Sequence, residues 1–235
     1  MVVYFHGGCW ALGDVDTCDS VCSFLALNAG AAVLSVGYRL APEHPFPAAF
    51  DDALAAFRWA STKHSRLGVD PDRIAVAGDS AGGNLAAAVS LMARDDGPSP
   101  AMQVLLYPIV DACEEWPSRQ AFGEGFLLTK ADLEWFERQY LPGGSDRTDP
   151  RVSLLRADDL SGLPPTYIAT AGFDPLRDEG AAYAAALREA GAAVTWCHHP
   201  GLIHGFANLT AISHTARAAM LELAGAIHAG LVDTP

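Results

Sequence analysis

Short apolar runs alternate with amphipathic segments along almost the whole chain, and few folds accommodate that pattern. "MVVYF" at 1–5, "AVLSV" at 32–36, "RIAVAG" at 73–78, "MQVLLYP" at 102–108, "TYIATAG" at 166–172 and "AAVTWC" at 192–197 read as short buried strands. Helical segments stand between them. One runs from about Asp16 to Asn28, with Asp16 or Thr17 as cap and Gly30 as stop. The others are "AAFDDALAAFRWASTKH", with Phe50, Leu54 and Phe57 at helical spacing, "AGGNLAAAVSLMARDD", a helix through Ala190, and a last one from about Ile212. Strands alternating with helices predict an α/β fold, a mainly parallel sheet with helices on both faces. The alternation breaks between about 111 and 160, where Glu, Trp, Gly and Pro are frequent and only "KADLEWFERQY" reads as a helix. That stretch is expected to be a cap-like insertion over one end of the sheet, within a single domain spanning 1–235.

Composition narrows the function classes. Half of the 235 residues are hydrophobic, enough for one substantial core. The net charge is −13, the only lysines are Lys63 and Lys130, and no basic stripe forms, which argues against nucleic acid and anionic membranes as partners. The apolar runs are too short for membrane insertion. Cys9, Cys18, Cys22, Cys113 and Cys197 make no zinc-type spacing, so no metal is expected. Cys18 and Cys22, one helical turn apart, read as small buried thiols, and the odd count fits a reducing, cytoplasmic compartment.

The chemistry falls at strand ends. "GDSAG" at 78–82 has the form G-x-S-x-G between a strand and a helix, a turn that lifts Ser80 above the sheet as a nucleophile. The competing reading of Ser80 is a helix cap. A serine hydroxyl needs a base. Of the eight histidines, His204 in "PGLIHGF" is placed for it, between the last strand and the last helix. His198 and His199 read as the exposed, flexible end of that strand, and His44, His64, His214 and His228 as ordinary loop or helix residues. The base needs an orienting carboxylate, and Asp174 directly follows the strand "TYIATAG". Asp before Pro175 also reads as a helix cap with proline at the first helical position, and both roles can coexist. Asp178 and Glu179 lie inside the helix, less suitably directed. The oxyanion of an acyl-transfer intermediate needs backbone N–H donors. Ala81 supplies one, and "HGGC" at 6–9 supplies others from Gly8 and Cys9, with His6 bracing the loop.

These motifs, with "GDVDT" at 13–17, "YRLAPEHPFPAAFDD" at 38–52, "DRIAVAGDSAGGNLAA" at 72–87, "LLYP" at 105–108, "AGFDPLRDEG" at 171–180 and "HGF" at 204–206, run in order along almost the whole sequence. The chain resembles the hormone-sensitive-lipase-like family of α/β-hydrolase carboxylesterases, abundant in bacteria. The resemblance implies hydrolysis of short-chain carboxylic esters without cofactor, a small-molecule ester as substrate, and Ser80, Asp174 and His204 as triad. Two departures stand out. The family has glycine where this chain has Cys9, and its members begin several dozen residues earlier, with two further strands and N-terminal cap helices. The expected sheet therefore lacks those strands. Its edge at 32–36 should be bare and able to associate into homo-oligomers, leaving an open pocket roofed by 111–160 and the loop 38–47. Alternatives are a truncated member with little activity and a non-catalytic ligand-binding member. Plant gibberellin receptors resemble the same family and lack the catalytic histidine that this chain has as His204.

Overall fold

The computed structural model describes residues 1–232. Among them six strands form one sheet: β1 (Val2–Phe5), β2 (Val33–Val36), β3 (Ala75–Asp79), β4 (Gln103–Leu106), β5 (Thr166–Phe173) and β6 (Val194–Ile203). Every pairing is parallel, in the spatial order β2-β1-β3-β4-β5-β6. A parallel neighbour cannot be reached by a tight turn, so each crossover carries helix. These are α1 (Asp19–Ala29), α2 (Ala48–Thr62) with the short α3 (His64–Leu67), α4 (Ala81–Asp95), α5 (Pro117–Ala121) with α6 (Lys130–Tyr140), and α7 (Arg177–Glu189). The helix α8 (His214–Val232) follows β6.

The two-residue period of β1 sorts its side chains onto two cores. Val3 and Phe5 join Phe57 of α2, Leu85 of α4 and Leu187 of α7 on one face. Val2 and Tyr4 join Leu25 of α1 and Leu223 and Ile227 of α8 on the other. Each fully buried side chain of this size contributes about 1.5–3 kcal/mol. The sheet is thus covered on both sides, and its strand C-termini lie together at one rim, where ligands bind in open α/β sheets.

Three local expectations need correction. The first helix begins at Asp19, not near Asp16, because Asp14 and Thr17 close a turn of their own. The Asp14 N–H donates to Thr17 Oγ1 at 2.8 Å and the Thr17 N–H to Asp14 Oδ1 at 2.8 Å. The last strand does not fray at His198 and His199. It continues to Ile203, with His198 opposite Thr170 and His199 opposite Ala171, and Thr170 Oγ1 lies 3.1 Å from His198 Nδ1. The segment between β4 and β5 carries α5 as well as α6, and five residues are too few to show a helical period. A buried ion cluster ties this segment to α7. Arg119 of α5 pairs with Glu179 at 2.9 Å and with Glu137 of α6 at 3.2 Å, and all three are at most 7% exposed. Burial pushes the Glu179 carboxyl upward against the pull of Arg119.

Candidate active site

Ser80 stands between β3 and α4 with φ 56° and ψ −118°, a backbone shape that non-glycine residues rarely adopt. What holds it there is close chain approach. A Cβ on Gly82 would collide with the Phe5 and His6 carbonyl oxygens, and one on Gly78 with the Gly82 backbone. The Ser80 N–H donates to Leu106 O at 2.9 Å, and the Ile109 N–H donates to Ser80 O at 3.3 Å. The serine side chain makes no capping bond to α4, so its hydroxyl is not spent as a helix cap.

The hydroxyl instead meets His204, which directly follows β6. Ser80 Oγ lies 3.1 Å from His204 Nε2, and His204 Nδ1 lies 2.9 Å from Asp174 Oδ2. A carboxylate accepts, so Nδ1 carries the proton and Nε2 is left to accept the Ser80 O–H. Asp174 is fully buried, and its other oxygen, Oδ1, receives the Leu176 N–H at 2.8 Å. One carboxylate therefore serves both the turn and the histidine. The helix that follows begins at Arg177, with Leu176 in the capping position, so Pro175 is not its first residue. Asp178 accepts from the Ser118 N–H, and Glu179 belongs to the ion cluster with Arg119. The Tyr107 ring packs edge-on against His204 at 4.7 Å.

Gly8, Cys9 and Trp10 all have positive φ, at 115°, 51° and 58°. The Gly8 carbonyl receives the N–H groups of Ala11 at 3.0 Å and Leu12 at 2.9 Å, which closes the loop on itself. The left-handed shape costs a residue with Cβ about 1–2 kcal/mol, and Cys9 bears that cost where glycine would not. Trp10 is fixed by stacking on Tyr140 at 4.3 Å. His6 donates from Nδ1 to Gly7 O at 2.7 Å, because a carbonyl can only accept, and Tyr38 stacks on the imidazole at 4.2 Å while donating to His6 O. Among the described residues the Gly8 and Cys9 N–H groups have no protein acceptor. Ala81 opens α4, whose first-turn N–H groups have no intrahelical acceptor.

Sequence reasoning missed the group that joins this loop to the serine turn. Register places Phe5 of β1 beside Gly78 of β3, so Gly7 reaches Asp79. The Gly7 N–H donates to Asp79 Oδ1 at 2.9 Å, and the Tyr4 O–H donates to the same oxygen at 2.8 Å. Burial raises the Asp79 carboxyl, while these two hydrogen bonds act in the opposite sense. A carboxylate inside a buried turn was the available signal, but its partners are visible only once β1 and β3 are paired.

A pocket of about 390 Å³ opens beside Ser80 and His204. Leu127, Leu128 and Phe136 of the segment 111–160 form one wall. The loop 38–47 does not line it. Its Tyr38 supports His6 from behind, and the opposite wall comes from Leu12, from Thr17 and Cys18 just before α1, and from Val21 of α1. Among the described residues no group of three His, Cys, Asp or Glu could hold a metal ion, and no helix is long and apolar enough to cross a membrane.

Comparison with known proteins gives this geometry its relatives. A family model described as alpha/beta hydrolase fold matches residues 2–208. Carboxylic ester hydrolase LipN of Mycobacterium tuberculosis is 51% identical over 238 residues, covering 98% of this chain and 63% of that protein. The ethyl acetate hydrolase of Pseudomonas putida is 43% identical over 217 residues, covering 92% of this chain and 68% of its own length. Among solved structures, EstE1, a thermophilic and thermostable carboxylesterase from a metagenomic library, superposes with a TM-score of 0.96. Its identity is 43%, with 100% of this chain and 80% of that chain covered. The chain thus spans about two thirds of the length of the curated relatives.

Proposed function

We propose that this chain, which belongs to the hormone-sensitive-lipase-like family of α/β-hydrolase carboxylesterases, is a serine esterase of short-chain carboxylic esters. The observation that carries this reading is the continuous hydrogen-bonded run from Ser80 Oγ through His204 to the buried Asp174, at the mouth of a pocket. His204 Nε2 takes the Ser80 proton as Oγ attacks the ester carbonyl. The tetrahedral oxyanion is held by the N–H groups of Gly8, Cys9 and Ala81. His204 then protonates the leaving alcohol, and water repeats the cycle on the acyl-serine. Asp174 keeps the imidazole in the required tautomer and stabilises it when charged. No step calls on a cofactor or metal.

The domain reading is one α/β-hydrolase unit over 1–235, with 111–160 as a cap-like insertion. Its last three residues lie outside the described residues. The walls from Leu127, Leu128 and Phe136 suit small acyl groups, and bulky alcohols should be tolerated with weak binding. Among the described residues β2 is an edge strand, a position that favours association of copies. A cytoplasmic setting is in keeping with five free cysteines.

The test is a panel of p-nitrophenyl esters of rising acyl length, run on the wild type and on Ser80→Ala. Turnover falling with acyl length and lost in Ser80→Ala supports the reading. No turnover of any ester by the wild type removes it and leaves ligand binding as the alternative.

A further inference from the structure

The pocket wall opposite the insertion holds a pair of thiols that ester hydrolysis does not use. Cys18 precedes the first residue of α1, and Cys22 lies one turn further on. Their sulfur atoms are 3.9 Å apart, and Ser35 Oγ of β2 stands 3.2 Å from Cys18 Sγ. Both residues are under 9% exposed, yet Cys18 lines the substrate pocket, so a small solute entering it comes beside this residue. The other pocket thiol, Cys9, stands across from it in the left-handed loop.

We propose that Cys18 and Cys22 form an oxidation site, in which a small hydroperoxide admitted by the substrate pocket is reduced and the two sulfurs are joined. Cys18 is the attacking sulfur. Its thiolate attacks the distal peroxide oxygen, the O–O bond breaks, and the alkoxide or hydroxide takes up a proton, leaving Cys18 as sulfenic acid. The Cys22 sulfur, losing its proton, attacks the sulfenic sulfur and expels water. Two thiols give up two electrons, and the peroxide receives them.

Three features assign the order. The Cys22 S–H donates toward Cys18 Sγ, and Ser35 Oγ lies close enough to donate to it once the Cys18 S–H bond to Val15 O is given up; against the cost of burial, these contacts bring the Cys18 thiol down to about 7. Cys22 is pushed up, first by its bond to that same sulfur and then by burial, so it waits as the resolving thiol. Burial pushes Cys9 up to about 12, which leaves it inert under the same conditions. Burial and, more weakly, the neighbouring carboxylate of Asp79 oppose the Cys18 charge. Position decides the rest: Cys18 stands at the N-cap of α1 without a side-chain cap, while its carbonyl accepts the Val21 and Cys22 N–H groups, so the bridge must form by side-chain rotation at this turn. Joining the sulfurs takes them from 3.9 Å to about 2.05 Å, which draws Cys18 off Ser35 and moves the pocket wall.

The experiment is hydrogen peroxide titration of the full chain, read by intact mass and by peptide mapping of all five cysteines. The expected product is about 2 Da lighter, linked Cys18 to Cys22, and restored by dithiothreitol. It should form about tenfold faster than any oxidation at Cys113 or Cys197, because neither of those has a second thiol beside it to resolve a sulfenic acid. Cys22→Ser should stop at a sulfenic acid on Cys18, trapped by dimedone, and Cys18→Ser should leave Cys22 unmodified. Bound p-nitrophenyl butyrate in Ser80→Ala should slow the reaction several-fold by filling the entrance. Oxidation that begins at Cys113 or Cys197 and leaves Cys18 and Cys22 reduced overturns the proposal, as does a Cys22→Ser protein that never gives the sulfenic acid. The mass readout is independent of turnover, so a protein that hydrolyses no ester yet forms the bridge retains this site while losing the esterase reading.

Discussion

Two turns face each other across the pocket, and both place a residue bearing Cβ in left-handed backbone: Ser80 at φ 56° and Cys9 at φ 51°. The serine turn is over-determined. Glycines on both sides pack against bare backbone, the Ser80 N–H is held by Leu106 of β4, and its carbonyl accepts from Asn84 of α4 and from Ile109. The loop at 6–10 is fixed mainly from outside, by Asp79, by Tyr38 on His6 and by Tyr140 on Trp10. On the proposed mechanism, the first turn strains the residue whose side chain reacts, and the second strains a residue that contributes only its N–H. Similar φ values therefore do not mean equal function, and the two turns should respond differently to substitution.

The widest gap between them should come from the serine side. Ser80→Ala and His204→Ala are expected to lower kcat by about 10⁴–10⁶-fold with the fold intact, because such groups act as a unit. Asp174→Asn should lose about 10³–10⁴-fold, since an amide can still accept the Leu176 N–H but no longer enforces the His204 tautomer. Single-turnover kinetics beside circular dichroism check all three. Near-normal rates in Asp174→Asn would reduce that carboxylate to a turn former.

Next in size is the joint between the turns. Asp79→Ala strips an acceptor from both the Gly7 N–H and the buried Tyr4 O–H. The expected cost is about 2–5 kcal/mol of stability by denaturant titration. The loop is also released, with a loss of about 10–100-fold in kcat. Tyr4→Phe frees the same carboxylate oxygen of one donor and leaves Gly7 held, so it should lower stability while sparing kcat. If it lowers both equally, the loop is not positioned through Asp79.

Alkylation sharpens the contrast between the pocket thiols. With Cys18 lowered to about 7 and Cys9 raised to about 12, iodoacetamide should label Cys18 first. The rate should rise as pH climbs through about 7 and level off above it, because the thiolate is the reacting form. Cys9→Ala alone should then give no resistance to alkylation. Labelling of Cys9 ahead of Cys18 would reverse the assignment.

The smallest effect concerns Cys9 itself. Cys9→Gly should keep or raise kcat and add about 1 kcal/mol of stability, because glycine adopts the left-handed shape without the Cβ penalty. Cys9→Ala should stay close to the wild type. A Cys9→Ala protein as inactive as Ser80→Ala would mean that the sulfur takes part in chemistry.

The strands and long helices were legible because burial writes itself into composition. Runs such as "RIAVAG" and "TYIATAG" are apolar since both faces of a parallel sheet are covered. The positions of Ser80, Asp174 and His204 were legible because each follows a readable strand. What escaped depends on partners far apart in sequence. The β6 strand is longer than its apolar run because β5 pairs with it up to the bulge after Ala171. The role of Asp79 needs the register of β1 on β3, and the role of Cys18 needs Ser35 across from it on β2. Asp14 and Thr17 delay α1 by a local exchange of hydrogen bonds that a cap rule reads as a helix start.

The bond from Gly7 to Asp79 also bears on dimensional accuracy. In a mechanism assembled from separate loops, the distance between attacking oxygen and oxyanion donors would accumulate the positional error of every intervening link. Here the loop is referenced to Asp79, and the attacking oxygen belongs to the very next residue. A single peptide unit is thus the common origin for both measurements. On the proposed mechanism, a shift of this turn would carry the nucleophile and the oxyanion donors with it.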